Sequence, residues 1–274
     1  MNNGMWKAPA TQANMATLRD RGVHVVGPGS GYLACGDVDT GRMSEPEDIV
    51  EAVCEVLNPV PQDLAGKRIV ITAGPTHEPI DPVRFIGNRS SGKMGIALAG
   101  EAARRGATAT LVLGPTSLDV PRGVECVRVQ TAAEMLQAAL GAFQTADAAI
   151  CAAAVADYTP AAPADHKLKK ANERLDRIEL VETVDILAEL SRQKGERCVI
   201  GFAAETDNVV EYAQRKLARK GCDAIIANDV SRADSGFGTD TNKAWIVSAA
   251  GTQELPVLTK PQLADTILDL LQNL

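Results

Sequence analysis

The sequence contains no continuous apolar run that approaches the length needed to cross a bilayer. Its N-terminus also lacks the basic and then apolar order of a signal peptide, so we predict a cytoplasmic location. A formal net charge of −7 argues against broad, salt-driven binding of nucleic acid. Any polyanionic ligand must therefore be held by local basic clusters.

Closely spaced cysteines are missing as well. The six cysteines are spread along the chain, without the short spacings that build zinc sites or dithiol redox centres. We therefore expect reduced thiols, most of them in the core, at Cys35, Cys54, Cys126, Cys151, Cys198 and Cys222.

The length of 274 residues exceeds the usual size of one domain. The stretch NPVPQDLAGK discourages regular structure, because it contains prolines and a glycine, and it suggests a boundary. We predict a short N-terminal piece at residues 1–58, a linker at 59–66 and a large domain at 67–274.

Beyond the linker, strand-like and helix-like stretches alternate along the chain. The strands are predicted at RIVIT, TATLVLG, GVECVRV, DAAICAAA, CVIGFAA and CDAIIAN. The helices are predicted at GIALAGEAARRG, TAAEMLQAALGAF, TVDILAELSRQKG and NVVEYAQRKLARKG. Gly106 should cap the first of these helices, and Thr131 with Glu134 should form a capping box on the second. This pattern predicts an α/β fold, a Rossmann-like, doubly wound and mainly parallel sheet with helices on both faces.

The loop AGPTHEPIDPVRFIGNRSSGKMG packs glycines, hydroxyls and cations between a strand and a helix. Such a loop can bind phosphate through its backbone N–H groups and the helix N-terminus. It is not a P-loop, because Met94 replaces the hydroxyl residue that would hold magnesium. The dinucleotide fingerprint also fails, since no G-x-G-x-x-G follows RIVIT. A solvated turn is the alternative for an isolated loop of this composition.

The same loop closely resembles the ITAGPT, EPIDPVRFI and NRSSGKMG run of bacterial phosphopantothenate–cysteine ligases. The resemblance continues through AAAVADY, KLKK, GFAAET, EYAQRKL and ANDV to TKPQLADTIL. It implies an enzyme of coenzyme A biosynthesis that joins 4′-phosphopantothenate to L-cysteine, and it suggests a homodimer. CTP with Mg²⁺ would activate the carboxylate as an acyl-cytidylate and release pyrophosphate. The amine of cysteine would then displace CMP.

The resemblance also implies which residues bind the nucleotide. They are Gly74, Ser90, Ser91, Gly92, Lys93, Cys151, Ala152, Ala153, Asp157, Lys167, Val184, Asp185, Ile186, Leu187, Phe202, Lys216 and Lys220. At the turn Val184 to Leu187 the family usually has proline and aspartate, whereas this chain has Val184 and Asp185. This substitution weakens the assignment of that turn to the nucleotide site.

Each of these assignments has an ordinary structural alternative. Asp157 is implied as the magnesium ligand, but an isolated aspartate here is a common turn residue. Lys167 is implied as a phosphate ligand on a flexible flap, where a lysine run is usually a solvated face. Phe202 beside a glycine could stack on a base or belong to the core. Lys216 and Lys220 share one helix face, which is implied to contact the triphosphate or base, but could be an ordinary basic helix face.

For the acid substrate, the resemblance implies Arg84, Asn88, Ala153 and Ala154. Arg84 would bind a carboxylate or phosphate through its bidentate fork. Asn88 would hold the acyl intermediate and its developing oxyanion. With Lys167, these two residues form the predicted catalytic set.

The N-terminal piece has its own resemblance. MNNGMW and SGYLACGD resemble the substrate-binding motif and mobile flap of flavin-dependent phosphopantothenoylcysteine decarboxylases, with Cys35 at the position of their proton donor. The family's FMN-binding region and catalytic histidine have no counterpart, since none of the three histidines occupies that role. We therefore interpret residues 1–58 as a C-terminal remnant of the decarboxylase and expect no decarboxylase activity.

Two other function classes are compatible with the fold. An NAD(P)-dependent oxidoreductase could use Tyr212 and Lys216, which have Tyr-x-x-x-Lys spacing, although the glycine fingerprint is missing. A non-catalytic nucleotide-binding regulatory subunit is the second. The retention of four residues argues against that subunit, namely Arg84, Asn88, Asp157 and Lys167.

Overall fold

The computed structural model describes residues 1–33, 36, 38–57, 60–169, 176–232, 234–236 and 238–272, without the side chains of Glu51 and Glu55. The chain divides into two compact units, Met1–Pro61 and Gln62–Leu274. Within the described residues, no helix combines the length and the apolar character that a membrane span requires.

The first unit contains helices and a two-stranded antiparallel ribbon. Its elements are α1 (Asn3–Lys7), α2 (Pro9–Asp20), β1 (Gly29–Tyr32), β2 (Val38–Arg42) and α3 (Pro46–Leu57). The side chain of Asn2 accepts a hydrogen bond from the N–H of Gly4 and so caps α1. Pro9 begins α2, at a position where its missing N–H removes no helical hydrogen bond.

The second unit is built on a large sheet with helices on both faces. In chain order its elements are β3 (Arg68–Ala73), β4 (His77–Pro79), β5 (Phe85–Gly87), α4 (Lys93–Arg104), β6 (Thr108–Leu113), β7 (Glu125–Arg128), α5 (Ala132–Phe143), β8 (Ala148–Cys151), β9 (Tyr158–Pro160), β10 (Leu180–Glu182), α6 (Ile186–Arg192), β11 (Cys198–Glu205), α7 (Val209–Lys220), β12 (Ala224–Asp229), β13 (Thr241–Ser248), β14 (Gly251–Thr259) and α8 (Lys260–Leu268), followed by a 3₁₀ turn at Asp269–Leu271.

The eight strands of the large sheet have the order β14–β13–β12–β11–β8–β3–β6–β7. The strands from β12 to β7 run parallel, whereas β13 and β14 extend the sheet by antiparallel pairing. From β3 the chain moves outward to β6 and β7 and then returns to β8 on the other side of β3. The strand order therefore reverses between β3 and β8, which is the switch point where doubly wound sheets bind ligands.

Two hydrophobic cores lie on opposite faces of this sheet. On one face α4 and α8 bury Leu98 and Ile267 against Ile71. On the other face α5 buries Met135 near Val70. Val70 and Ile71 are neighbours on β3 and point in opposite directions, as successive strand residues do. The strand is thus buried on both faces, which explains why its sequence is continuously apolar.

The predicted doubly wound α/β fold is confirmed. Thr131 and Glu134 form the capping box of α5, and Gly106 follows α4 with a φ of +90°. Two short antiparallel pairs, β4–β5 and β9–β10, were not predicted. They consist of three-residue strands, which are too short to show a periodicity in sequence.

The prediction that most cysteines lie in the core agrees with three of the five described ones, since Cys198 and Cys222 belong to the two cores and Cys151 packs against one of them. Cys198 and Cys222 are buried and Cys151 is half-buried, whereas Cys54 and Cys126 are exposed. Cys126 belongs to β7, the last strand of the sheet order, and all four residues of β7 are exposed. An edge strand has a neighbour on one side only, so its side chains are less covered.

Candidate active site

Four strands of the sheet carry side chains that face two cavities. Thr72, Cys151, Phe202 and Asn228 come from β3, β8, β11 and β12, toward the carboxyl end of each strand. Parallel strands bring these ends to one edge of the sheet, next to the switch point. Both cavities therefore occupy the position where this fold binds ligands.

The first cavity, which we call the β10–α6 cavity, has a volume of 550 Å³. Besides Thr72, Tyr158 and Arg219, it is lined by the turn between β10 and α6. The predicted nucleotide residues in its wall are Cys151, Ala153, Asp157, Val184, Asp185, Ile186, Leu187, Phe202, Lys216 and Lys220.

The second cavity, the α4 cavity, has a volume of 520 Å³ and begins at the N-terminus of α4. The predicted residues in its wall are Asn88, Ser90, Ser91, Gly92, Lys93, Ala152, Ala153, Ala154, Asp157, Phe202 and Lys216. The two cavities share a wall formed by Ala153, Val155, Asp157, Phe202 and Lys216. Two ligands seated side by side would meet at this shared wall.

Two lysines of α7 define the electrostatics of the β10–α6 cavity. The Nζ of Lys216 donates a hydrogen bond of 2.7 Å to the carbonyl of Phe202, and burial lowers the pKa of Lys216. The ammonium of Lys220 pairs with the carboxylate of Asp185. Burial is the largest influence on Asp185 and tends to raise its pKa, but the hydrogen bonds from Lys220 and the N–H of Ala188, with the charges of Lys220 and Lys216, together lower the pKa.

Asp185 also orders the turn beside this cavity. Its Oδ1 accepts a hydrogen bond of 2.8 Å from the N–H of Ala188 and so caps α6. Burial raises the pKa of the nearby Cys151 thiol to about 12, which favours the neutral thiol over the thiolate near neutral pH. Cys151 thus contributes a small neutral part of the wall, whereas Lys216, Lys220 and Arg219 supply the positive charges and Asp157, Glu182 and Asp185 the negative ones.

Glycines let the phosphate-type loop approach the end of β3. Gly74 and Gly92 have φ values of +79° and +80°, a region that side chains rarely adopt. A Cβ on Gly92 would lie 3.5 Å from the backbone of Gly74. Gly74 is therefore part of the packing beneath the α4 cavity rather than of its wall. Gly92 is the N-cap of α4 and provides no side-chain cap. The N–H of Lys93 donates to the Oγ of Ser91 at 3.4 Å, which leaves the N–H groups of Met94 and Gly95 for a ligand.

Asn88 stands at the opening of the α4 cavity. Its Nδ2 donates a hydrogen bond of 2.8 Å to the carbonyl of Val155 in the shared wall. The side chain is exposed, so one amide hydrogen and the carbonyl oxygen remain free to meet a ligand.

Sequence reasoning missed four polar residues of the α4 cavity, namely Arg89, Asn228, Asn242 and Lys260. Lys260 is 5% exposed, and its Nζ donates a hydrogen bond of 2.7 Å to the Oδ1 of Asn242. Burial lowers its pKa to about 8, and Lys93 adds to the effect. A lysine at the first position of a helix is usually exposed, so nothing in the sequence singled it out.

Arg84 lies away from both cavities. Its guanidinium pairs with the buried carboxylate of Asp81 and donates a hydrogen bond of 3.0 Å to the carbonyl of Leu168. Asp81 also accepts a bond of 3.2 Å from the N–H of Leu168. The Asp81–Arg84 pair therefore holds both backbone groups of Leu168, next to the lysine that was predicted as catalytic.

Lys167 itself is exposed, and neither cavity wall includes it. The structure thus places Lys167 and Arg84 outside the group formed by Asn88, Asp157 and Lys216. Cys35, the predicted proton donor of the N-terminal piece, lies outside the described residues.

Magnesium would have to be held jointly with a ligand. Among the described residues there is no group of three or more His, Cys, Asp or Glu side chains suited to a metal. Asp157 is exposed and borders both cavities. One carboxylate together with substrate phosphates is a common way to bind Mg²⁺, so the residues present fit this ion.

Comparison with known proteins places this geometry in a family. The "Coenzyme A biosynthesis bifunctional protein CoaBC" of Bacillus subtilis is 46% identical over 271 residues, which cover 98% of this chain and 66% of that protein. The protein of the same name from Escherichia coli strain K12 is 47% identical over 272 residues, covering 98% and 67%. The chain thus spans about two thirds of the length of these relatives.

A crystal structure of the C-terminal domain of a CoaBC protein is 45% identical, with a TM-score of 0.66, over 77% of this chain and 97% of that one. Residues 1–58 match the family described as Flavoprotein, so the flavoprotein part is partly present. Residues 64–274 match a second family. This matched range contains every residue that lines the two cavities. The chain therefore belongs to the family of the DNA/pantothenate metabolism flavoprotein C-terminal domain.

Proposed function

We propose that this chain catalyses the ligase step of coenzyme A biosynthesis, in which CTP drives the joining of 4′-phosphopantothenate to L-cysteine. The observation that supports it most is the pair of cavities that share the wall around Asp157 and Lys216. A ligase of this kind must bring a carboxylate to the α-phosphate of a nucleotide. Two adjoining cavities with a cation and a carboxylate between them provide that arrangement.

The nucleotide occupies the β10–α6 cavity in this proposal. Lys220 and Asp185 pair at one side of the wall, and Val184 lines the cavity beside them. Phe202 borders the shared wall, where its ring can stack on the base or sugar. The triphosphate then extends toward Lys216.

In the first half-reaction the carboxylate of the acid attacks the α-phosphate, which gives an acyl-cytidylate and pyrophosphate. Both partners are anions, so catalysis consists mainly of charge neutralisation and positioning. Lys216 supplies a cation at the shared wall, and Lys167 supplies a second one if its segment moves over the nucleotide. Mg²⁺ bound to Asp157 and the phosphates would neutralise further charge.

In the second half-reaction the amine of cysteine attacks the acyl carbon and CMP leaves. The tetrahedral oxyanion needs a hydrogen-bond donor. Asn88 is the proposed donor, because it lies at the opening of the α4 cavity and has a free amide hydrogen. Ala153 and Ala154 line the same cavity with small side chains, which let an acyl chain approach the backbone.

The oxidoreductase alternative loses its support from the Tyr-x-x-x-Lys spacing. Lys216 lines both cavities, but Tyr212 lines neither. Its ring is instead covered by the guanidinium of Arg215, at 5.8 Å. A regulatory subunit would need no acyl transfer, and the assay below separates it from a ligase.

Several broader expectations belong to the same proposal. The domain limits 1–58, 59–66 and 67–274, the cytoplasmic location and the homodimer stay predictions. Exposed apolar side chains at Val83, Phe85, Tyr158 and Val181 support an interface on the antiparallel pairs β4–β5 and β9–β10. Light scattering of the purified chain would give the oligomeric state.

The predicted absence of decarboxylase activity is weakened by the flavoprotein match over residues 1–58. Binding of FMN and decarboxylase activity of this chain are therefore to be measured directly. Absorbance of the purified chain after addition of FMN, together with turnover of phosphopantothenoylcysteine, decides it.

The ligase proposal is tested by pyrophosphate release from CTP, ATP, GTP or UTP in the presence of 4′-phosphopantothenate. We expect release that depends on the acid and is fastest with CTP, and amide formation only when cysteine is added. A chain that binds CTP but releases no pyrophosphate would support the regulatory alternative.

A further inference from the structure

The shared wall belongs to an irregular segment, residues 152–157, which joins β8 to β9. Five of its six side chains are alanine or valine. These side chains form no hydrogen bonds, so the path of the segment depends on the partners of its backbone. Near its start, the N–H of Ala154 donates to the carbonyl of Gly74 at 2.9 Å. Two side chains from other parts of the chain hold the end that carries Asp157.

The segment is anchored at Ala156, which is 3% exposed, whereas Asp157 beside it is exposed. The N–H of Ala156 donates a hydrogen bond of 3.0 Å to the Oγ1 of Thr76. Its carbonyl accepts a hydrogen bond of 2.6 Å from the Oγ1 of Thr183. Both backbone groups of one buried residue thus depend on threonine hydroxyls, and loss of either hydroxyl would leave a buried group unpaired.

Thr76 reaches Ala156 from the side of the α4 cavity. It is fully buried and lies directly before β4, whose partner β5 ends one residue before Asn88. The backbone of Thr76 also packs against β5, since a Cβ on Gly87 would lie 2.7 Å from the carbonyl oxygen of Thr76. The Nδ2 of Asn88 in turn bonds to the carbonyl of Val155. Thr76 therefore links the strand pair that precedes Asn88 to the shared wall.

Thr183 reaches the same residue from the side of the β10–α6 cavity, whose wall includes it. It follows β10 directly, and its N–H donates a hydrogen bond of 2.9 Å to the carbonyl of Asp157. Two residues later, Asp185 caps α6. The two contacts of Thr183 thus fix the backbone around Asp157 relative to the turn that lines this cavity.

We propose that Thr76 and Thr183 are positioning residues of the ligase reaction, which act through Ala156 on the spacing of Asn88 and Asp157 between the two substrates. This inference rests on the proposed function. Thr76 lines neither cavity, so its effect on the reaction passes through Ala156. Reaction between two bound ligands is sensitive to their relative position, and a displacement of about 1 Å can cost about 100-fold in rate. Loss of a hydroxyl should therefore lower kcat more than it raises either KM.

The kinetic experiment compares Thr76→Val and Thr183→Val with Thr76→Ser and Thr183→Ser, using CTP and 4′-phosphopantothenate. Valine keeps the shape of threonine without its hydroxyl, whereas serine keeps the hydroxyl. Pyrophosphate release, expressed per CTP-binding site counted by titration, should fall about 10- to 100-fold in the valine variants, with each KM within about threefold of the original. The serine variants should recover most of the rate. If Thr76→Val does not fold, Thr183→Val at its half-buried position decides the question.

Thr266→Val is the matched control. Thr266 is half-buried like Thr183, and its hydroxyl donates a hydrogen bond of 2.9 Å to the carbonyl of Gln262, but it lines neither cavity. This variant should keep the original kcat. Equal losses in the serine and valine variants, or a loss confined to one KM, would overturn the inference.

Hydrogen exchange at the amide of Ala156 tests the contacts without any turnover. In the ligand-free chain this amide should exchange about 5- to 10-fold faster in both valine variants, and at the original rate in the serine variants and in Thr266→Val. Equal exchange in all variants would overturn the positioning role. Faster exchange in the valine variants of a chain that releases no pyrophosphate would refute the ligase function and leave the two contacts on Ala156 standing.

Discussion

Two lysines of α7, Lys216 and Lys220, differ in the partner of their ammonium group. Lys216 is partly buried, and its bond to the carbonyl of Phe202 is to a neutral acceptor. Lys220 faces the carboxylate of Asp185 instead. Their spacing on α7 was visible in the sequence, but the difference in partner was not, because it depends on the turn before α6 and on β11. The free positive charge at the shared wall is therefore that of Lys216.

This difference predicts a pH dependence for nucleotide binding. The pKa of Lys216 is lowered by burial, and the charged form is the one that attracts phosphate. As the pH rises through this lowered pKa, the ammonium loses its proton and kcat/KM for CTP should fall, at a pH below the ordinary lysine value of about 10.4.

The measurement is the pH profile of kcat/KM for CTP in the unmodified chain and in Lys216→Met. The variant should lose the alkaline decline and show a kcat/KM lowered about 10-fold or more at pH 7. Lys194→Met is the control, since Lys194 pairs with Asp223 away from both cavities. An alkaline decline that persists in Lys216→Met would assign it to another group.

At the scale of elements, the segment before residue 170 is fixed by a short loop after β4. Asp81 accepts hydrogen bonds from the N–H groups of Val83 and Arg84, at 2.9 and 2.8 Å. The side chains of Asp81 and Arg84 also form hydrogen bonds with the backbone N–H and carbonyl of Leu168. The hydrogen bonds of the Arg84 guanidinium hold the pKa of Asp81 well below its usual range. Arg84 thus acts in this structure as a link that positions the segment carrying Lys167.

We predict that Asp81→Asn loosens this segment, because an amide replaces the charged acceptor of the Arg84 guanidinium. Tryptic cleavage at Lys167 and Lys169 should become faster, and the KM of CTP should rise with it. Asp165→Asn is the control, since Asp165 pairs with His166 at the surface. Unchanged cleavage with a raised KM for the acid would instead favour direct contact of Arg84 with the substrate.

Helices and strands could be predicted from the sequence where their hydrophobic pattern extends over several residues. The strands β3, β8, β11 and β12 are buried on both faces and so appear as continuous apolar runs. The pair β13–β14 was not predicted. In β14 most side chains are exposed, so the strand lacks a continuous apolar run. Lys260 follows β14 directly, and its burial results from packing of α8, which local sequence does not encode.

For the whole molecule, an ion cluster joins the start of the second unit to its C-terminal end. Arg105 is 3% exposed and pairs with Asp63, Asp265 and Asp269. Asp63 also accepts a hydrogen bond of 2.7 Å from Gln272. The hydrogen bond with Arg105 lowers the pKa of Asp63 to about 2. A buried guanidinium that loses a partner leaves unpaired charge, so this cluster matters for stability.

The sign of the pH effect follows from that lowered pKa. The stabilisation by Asp63 is fully present above the unfolded pKa of about 3.9 and is lost as the pH falls toward the folded value. Asp63→Asn should therefore lower the Tm at pH 7, and the difference from the unmodified chain should shrink toward pH 2. Thermal unfolding at both pH values measures it. An equal Tm difference at both would mean that charge is not the cause.

The central claim is that acyl transfer proceeds in two steps at the shared wall, with Asn88 serving the second. Asn88→Asp would place a carboxylate where negative charge develops, so amide formation should slow by roughly 10²–10³ while pyrophosphate release continues. In a quenched reaction with labelled 4′-phosphopantothenate and CTP, this variant should accumulate an acyl-cytidylate that cysteine discharges slowly. If both half-reactions slow equally, or if pyrophosphate is released at the normal rate without any acyl-cytidylate, the two-step account with Asn88 in the second step is contradicted.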